Sequence, residues 1–96
     1  MALLDELKNR LHIYHSVEDD FLQDNILAPS IDAIARMTGI NKDSEDPQFK
    51  ELVLERGRYA YNDQLEFFED NFRSELLGLS STLLKSDEEG DSNDGS

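Results

Sequence analysis

Two histidines, His12 and His15, stand three residues apart, with Glu18 and Asp19 just behind them. Imidazoles at that spacing can share one helical face, and carboxylates nearby would extend them toward a divalent-metal site. Two ligands alone do not define such a site. The plainer reading is a helix end followed by a short turn, its imidazoles solvated or capping backbone groups. The oxygen-rich run Asn41-Lys42-Asp43-Ser44-Glu45-Asp46 suggests calcium. An EF-hand loop needs Gly at its sixth position and Glu at its twelfth. Counted from Asn41, those positions hold Asp46 and Leu52, so the match fails. A solvated loop ending in a helix cap accounts for the same residues. Glu66, Glu69 and Asp70 offer carboxylates for general acid–base work. Their spacing puts them opposite the Leu65/Phe68 stripe of a helix, as a solvent-facing acidic surface. There is no Cys, hence no thiolate nucleophile, thiolate metal site or disulfide. The glycines are isolated except near the C-terminus, so no phosphate-cradling loop, dinucleotide fingerprint or nucleophile elbow is present. The reading is a protein without catalysis, cofactor or metal.

The 96 residues make room for one small domain. Asp and Glu number 22 against 9 Lys and Arg, a net charge of −13. That balance argues against a phosphate-binding surface and against an anionic membrane, since both need clustered Lys and Arg. No stretch approaches the roughly 18–20 apolar residues that span a bilayer. The opening Met-Ala-Leu-Leu-Asp-Glu has acids where a signal peptide carries positive charge, so an intracellular, soluble product is expected. A chain of this size buries only about 60–65% of its unfolded surface, so stability is marginal and self-association would help.

The elements that must carry these residues follow from periodicity. Leu4, Leu7 and Leu11 predict a first helix over Ala2–Leu11. Ser16 reads as the N-cap of a second, with Glu18, Asp19 and Asp20 on the positive end of its dipole. Its apolar positions run from Val17 and Phe21 to Ile34 and Met37, and Gly39 reads as its closing residue. Pro29 falls inside this pattern and predicts a kink near Asn25–Pro29, not an end, because the apolar spacing continues. Ile40–Asp46 is a polar loop. Asp46 and Pro47 start a third helix, along which Leu54, Tyr61, Leu65, Phe68 and Phe72 keep helical spacing. Gly57 inside it implies close packing or a mild bend. Ser74 can cap a short last helix. No strand pattern appears. The expected fold is all-α: a small bundle of about four helices over 1–85, followed by a disordered acidic C-terminal tail over 86–96 that has no apolar side chain. The tail holds Asp87, Glu88, Glu89, Asp91 and Asp94, so most of the acidity belongs to the folded part.

The apolar residues exceed what one small core needs. Phe67 and Phe68 are adjacent, so their side chains diverge by about 100° around a helix, and one is left for a neighbouring chain. Leu76 and Leu77, then Leu83 and Leu84, pose the same problem. This is a signal of protein–protein contact, with a thoroughly buried small-bundle core as the equal alternative.

A family resemblance rests on specific runs. Leu3-Leu4-Asp5-Glu6-Leu7-Lys8-Asn9-Arg10-Leu11-His12-Ile13 is followed by Glu18-Asp19-Asp20-Phe21-Leu22 and by a long helix ending at Thr38-Gly39. Together they resemble the head–tail connector (adaptor) proteins of long-tailed bacteriophages. Glu55-Arg56-Gly57-Arg58-Tyr59-Ala60-Tyr61-Asn62-Asp63-Gln64-Leu65-Glu66-Phe67-Phe68-Glu69-Asp70-Asn71-Phe72 is similar to versions from phages and prophages of Gram-positive bacteria. The resemblance covers about residues 3–84; Pro29 and the acidic tail depart from its pattern. It implies a small helical bundle, made in the host bacterial cytoplasm and carried in the virion at the head–tail interface. It implies a ring of about twelve copies under the portal protein, extending the DNA channel and receiving a stopper or tail-completion protein. DNA would pass through without specific binding, and no membrane is involved. The charge suits that role, since an acidic wall keeps DNA from sticking within a Debye length of about 8 Å.

A cyclic ring needs two different complementary patches on each subunit. Phe21, Ile31, Tyr59 and Phe67 are the ring-interface candidates. Leu76, Leu77, Leu79, Leu83 and Leu84 are the portal-contact candidates, because related adaptors reach the portal with their C-terminal region. The loop Ile40–Asp46 is a candidate for downstream partners. Two other readings compete. A DNA-mimic inhibitor would bind a basic partner tightly and form no ring; a generic acidic helical interaction module would form a small fixed oligomer.

Overall fold

The computed structural model describes residues 3–81. Leu83, Leu84 and the 86–96 tail lie outside the described residues. Helix α1 (Leu3–Leu11) carries Asp5 and Glu6 in its first turn and Lys8 and Arg10 in its last, matched to the helix dipole. It ends in a Schellman closure without glycine. The Ile13 N–H bonds the Lys8 carbonyl at 2.9 Å, the His12 N–H bonds the Asn9 carbonyl at 3.2 Å, and His12 takes the left-handed conformation at φ 61°. Ile13, the residue past the turn, is buried in the core, the apolar contact that accompanies this motif.

Helix α2 (Asp19–Phe21), a π segment (Leu22–Leu27) and α3 (Ala28–Thr38) run on as one rod over 19–38. Ser16 is not its N-cap. The Ser16 carbonyl accepts from the Asp19 N–H at 3.2 Å in a preceding turn, and the helix opens after Glu18 without a side-chain cap. Pro29 is tolerated as expected of a rod that continues, and the adaptation is the widened register just upstream. The Ala28 N–H donates to the Gln23 carbonyl, five residues back, so the bond that Pro29 lacks falls where the helix changes register. Gly39 closes the rod at φ 79°, its N–H on the Ala35 carbonyl at 2.8 Å.

Helix α4 (Pro47–Tyr61) starts as the sequence predicts. Asp46 accepts from the Gln48 N–H at 2.8 Å and the Phe49 N–H at 3.4 Å, and Pro47 fills the first turn. Asp46→Ala should lower stability by about 1 kcal/mol, read as a fall in urea midpoint at unchanged slope. Gly57 is a close-packing glycine: a Cβ there would sit 3.0 Å from Leu7 Cδ1. The helices α1 and α4 therefore approach face to face at Leu7, which is fully buried.

The long third helix of the sequence reading breaks in two. α4 ends in a second glycine-free Schellman closure, with Gln64 N–H on the Tyr59 carbonyl at 2.8 Å, Asp63 N–H on the Ala60 carbonyl at 3.1 Å, and Asp63 at φ 62°. A 3₁₀ turn (Leu65–Phe67) leads into the short α5 (Phe68–Asn71). A last helix, α6, follows over 73–81, its first bond from the Leu76 N–H to the Phe72 carbonyl at 2.9 Å. Phe72 thus joins α5 to α6, and Ser74 lies inside the first turn instead of capping it. The fold is all-α, with five helical stretches where about four are expected and no strand among the described residues. One core unites them, from Leu7 through Leu22, Ile34, Phe49, Val53 and Phe68 to Leu79.

Candidate functional site

The chemically suggestive residues are occupied locally. His12 Nδ1 lies 3.3 Å from the Tyr14 hydroxyl, and His15 Nδ1 accepts from the Val17 N–H at 3.3 Å. Asp19 pairs with Lys8 at 2.6 Å, and Glu18 accepts from the Tyr61 hydroxyl at 3.0 Å. Those two bonds pin the 12–18 corner to α1 and α4. In the 39–46 loop, Asn41 Oδ1 accepts from the Asp43 N–H at 2.7 Å and Ser44 Oγ from the Asp46 N–H at 3.1 Å, a self-bonded turn leading into the α4 cap. Among the described residues no three His, Asp or Glu converge as a metal site needs, and no helix is long and apolar enough to cross a membrane.

Glu66, Glu69 and Asp70 are exposed, as a solvent-facing acidic surface requires, but they do not stand opposite the Leu65/Phe68 stripe. The 3₁₀ turn brings them around, so all three share a groove of about 290 Å³ with Leu65, Phe68, Met37 and Arg56. Asp70 is held by Arg73 at 2.9 Å. Arg56 is half-buried, and its guanidinium donates to the buried Ser30 hydroxyl at 3.2 Å. No carboxylate lies within ion-pair distance of it among the described residues. Burial, with help from the nearby Arg36 charge, pushes its pKa below the ordinary value, against a weaker opposing pull from Glu69. A second groove, of about 210 Å³, continues from Met37 and Glu69 to Arg73, Leu76 and Leu77.

The assembly candidates divide by burial. Phe67 is 53% exposed and Phe68 is 1% exposed, as adjacent residues on diverging directions must be. Leu77 is 62% exposed, whereas Leu76 and Leu79 are buried in the core and hold α6 down. Of the five leucines assigned to portal contact, then, only Leu77 is a free surface among the described residues. Phe21 is half exposed. Ile31 and Tyr59 are half-buried against the core. Tyr59 sits edge-on to Phe68 and Phe72, each at 5.6 Å, and its hydroxyl accepts from the Asn71 side-chain amide at 3.0 Å. Its first role is internal.

The large exposed apolar side chains are Tyr14, Val17, Phe21, Met37, Leu65, Phe67 and Leu77. The sequence singles out Phe21, Phe67 and Leu77; its helical periodicity takes Val17, Met37 and Leu65 into apolar stripes and passes over Tyr14. Tyr14 and Val17 lie in the 12–18 corner, ahead of Phe21 at the start of the rod; at its far end Met37 and Leu65 line the first groove and Met37 and Leu77 the second, whereas Phe67 lines neither. No family model, curated protein or solved structure matches the chain.

Proposed function

We propose that the chain is a head–tail connector (adaptor) of a long-tailed bacteriophage, about a dozen copies of which form a ring under the portal protein. The ring extends the DNA channel, joins the DNA-filled head to a stopper or tail-completion protein, and resides in the virion. The observation that carries the reading is the exposure of apolar side chains at opposite ends of one rod, Phe21 at its start and Met37 at its far end. A closed ring needs two different patches on every subunit, whereas a catalytic protein needs one convergent site. The runs quoted from residues 3–84 support it. So does the net charge of −13, which gives a channel wall along which DNA slides instead of binding. Of the portal-contact candidates, Leu77 is the exposed one among the described residues, and Leu83 and Leu84 lie outside them.

The test is a mixing experiment. Purified protein is added to portal rings of the same phage or prophage, and the complex is weighed by native mass spectrometry. The expected result is a discrete gain of about a dozen chains per portal. Leu77→Asp should reduce occupancy while leaving the helical circular dichroism unchanged. No gain, with portal and protein both folded, rejects the connector. A pull-down for a basic partner would then test the DNA mimic.

A further inference from the structure

We propose that the groove along Met37, Leu65 and Leu77 docks a basic amphipathic helix of another protein, its apolar face on those three side chains and its Lys or Arg residues on Glu66 and Glu69. The proposal gives the chemistry of the segment that Leu77 meets. It rests on the reading above only in taking that segment to belong to the portal.

Shape comes first. The two hollows share Met37 and Glu69, so they form one groove, with Phe68 and Leu76 as its buried floor. Met37, Leu65 and Leu77 are left uncovered along it. Adjoining hollows accept apolar anchors one turn apart on a helix, about 5–6 Å between Cβ atoms. The described residues contain no strand, so no sheet edge offers main-chain pairing to an extended segment. Charge comes second. Asp70 is neutralised by Arg73 at 2.9 Å. Glu66 and Glu69 are exposed and in no ion pair among the described residues. Arg56 is half-buried and donates to the buried Ser30 hydroxyl. Two exposed carboxylates against one half-buried guanidinium leave the rim anionic.

The third point is what this chain cannot supply to its own groove. Of the described Lys and Arg, all but Lys42 and Arg56 are already paired with carboxylates of their own chain. Lys42 shares its hollow with Asp32 and Asp43. Among its described residues, then, a second copy offers the groove no basic apolar face, whatever the symmetry of the contact. The 86–96 segment brings Asp87, Glu88, Glu89, Asp91 and Asp94 and no Lys or Arg. An anionic rim repels nucleic acid and an anionic membrane alike. A different protein, basic and apolar, is the occupant that complements it.

The probe is a synthetic amphipathic helix of about 18 residues, with a leucine face flanked by lysines, and a twin with glutamate for each lysine. Met37 is one of two methionines, so a labelled methionine methyl, assigned with M37L, reports on the groove by nuclear magnetic resonance. The lysine helix should shift the Met37 methyl and bind at least about ten-fold more tightly than its twin, the gap narrowing from about 50 mM to about 0.5 M salt. E66K/E69K should lose at least about ten-fold for the lysine helix and favour the twin, and E66Q/E69Q should give an intermediate loss. D20K/D24K makes the same change in net charge at exposed positions on the other end of the rod and should stay within about two-fold of the parent. Helical circular dichroism checks that each variant folds. An unshifted Met37 methyl overturns the proposal, and so does equal binding of the twin. An equal loss in D20K/D24K overturns it too, since the helix would then follow only the net charge of the chain. The portal measurement is separate: mass gain that survives E66K/E69K rejects this groove as the portal contact and leaves the connector, while a shifted Met37 methyl without mass gain keeps the groove and rejects the connector.

Discussion

Replacing Phe68 by Ala should destabilise the protein by about 3–5 kcal/mol, the range for a fully buried aromatic. Phe68 is 1% exposed and stacks on Phe72 at 4.9 Å while presenting its edge to Tyr59 at 5.6 Å. With Phe72 and the Asn71–Tyr59 bond, it ties the segment after the α4 closure back onto α4, and it is the most buried of these groups. A domain of this size has on the order of 5–10 kcal/mol in total, so losing that tie removes a large share. Urea unfolding followed by far-ultraviolet circular dichroism should show a midpoint shift several-fold larger than that of Asp46→Ala. The control is the neighbour. Phe67→Ala, at a side chain 53% exposed, should stay within about 0.5 kcal/mol of the parent. Equal effects at the two positions would mean that the chain does not turn at Asn62–Gln64 as described.

The same turn shows what was legible in the sequence and what was not. Asp46-Pro47 and Gly39 announce their helix ends because their side chains, or the lack of one, act on the local backbone. His12 and Asp63 also end helices, but in conformations where glycine is the usual residue. His and Asp are merely enriched there, so each reads as ordinary helix or loop. Leu65, Phe68 and Phe72 keep helical spacing from Tyr61, which made one long helix the natural reading. In such a helix Tyr59 and Phe72 would be about 20 Å apart. Their rings stand 5.6 Å apart, because the chain folds back to pack Phe72 against Tyr59 of α4. Tertiary burial overrode a correct local periodicity. Pro29 was legible as a disturbance, but whether a helix answers it by kinking or by changing register depends on neighbours the local sequence does not name. The divergence of Phe67 from Phe68, and of Leu76 from Leu77, was legible because it follows from helix geometry alone. Which member of each pair turns outward required the fold.

The second large effect lies between α1 and α4. Arg10 donates to both oxygens of Glu51, at 2.6 and 2.9 Å, and to Glu55, which also receives Arg58 at 2.7 Å. Glu55 is the buried member, its side chain 13% exposed. Burial disfavours its charge, yet the bonds from Arg58 and Arg10 together prevail and hold its pKa below the ordinary carboxylate value. Arg10→Ala should cost about 2 kcal/mol at neutral pH; the solvent-exposed Glu51 half contributes little of this, and most comes from leaving Glu55 with one partner instead of two. The sign with pH follows from linkage. A carboxyl whose folded pKa is depressed gives stability that is present above its unfolded pKa, near 4.3, and is lost as pH falls through the folded value. The gap between parent and Arg10→Ala should therefore be wide at neutral pH and shrink steadily below about pH 4. Taking the difference matters in a chain of net charge −13. Acidification also relieves general repulsion among the carboxylates, which raises the stability of parent and variant alike and cancels between them. A gap that stays constant through the acid range would show that Arg10 acts through its packed hydrocarbon stem, not through Glu55. A gap that closes would show that the contribution of Arg10 across α1 and α4 depends on the charge of its carboxylate partners.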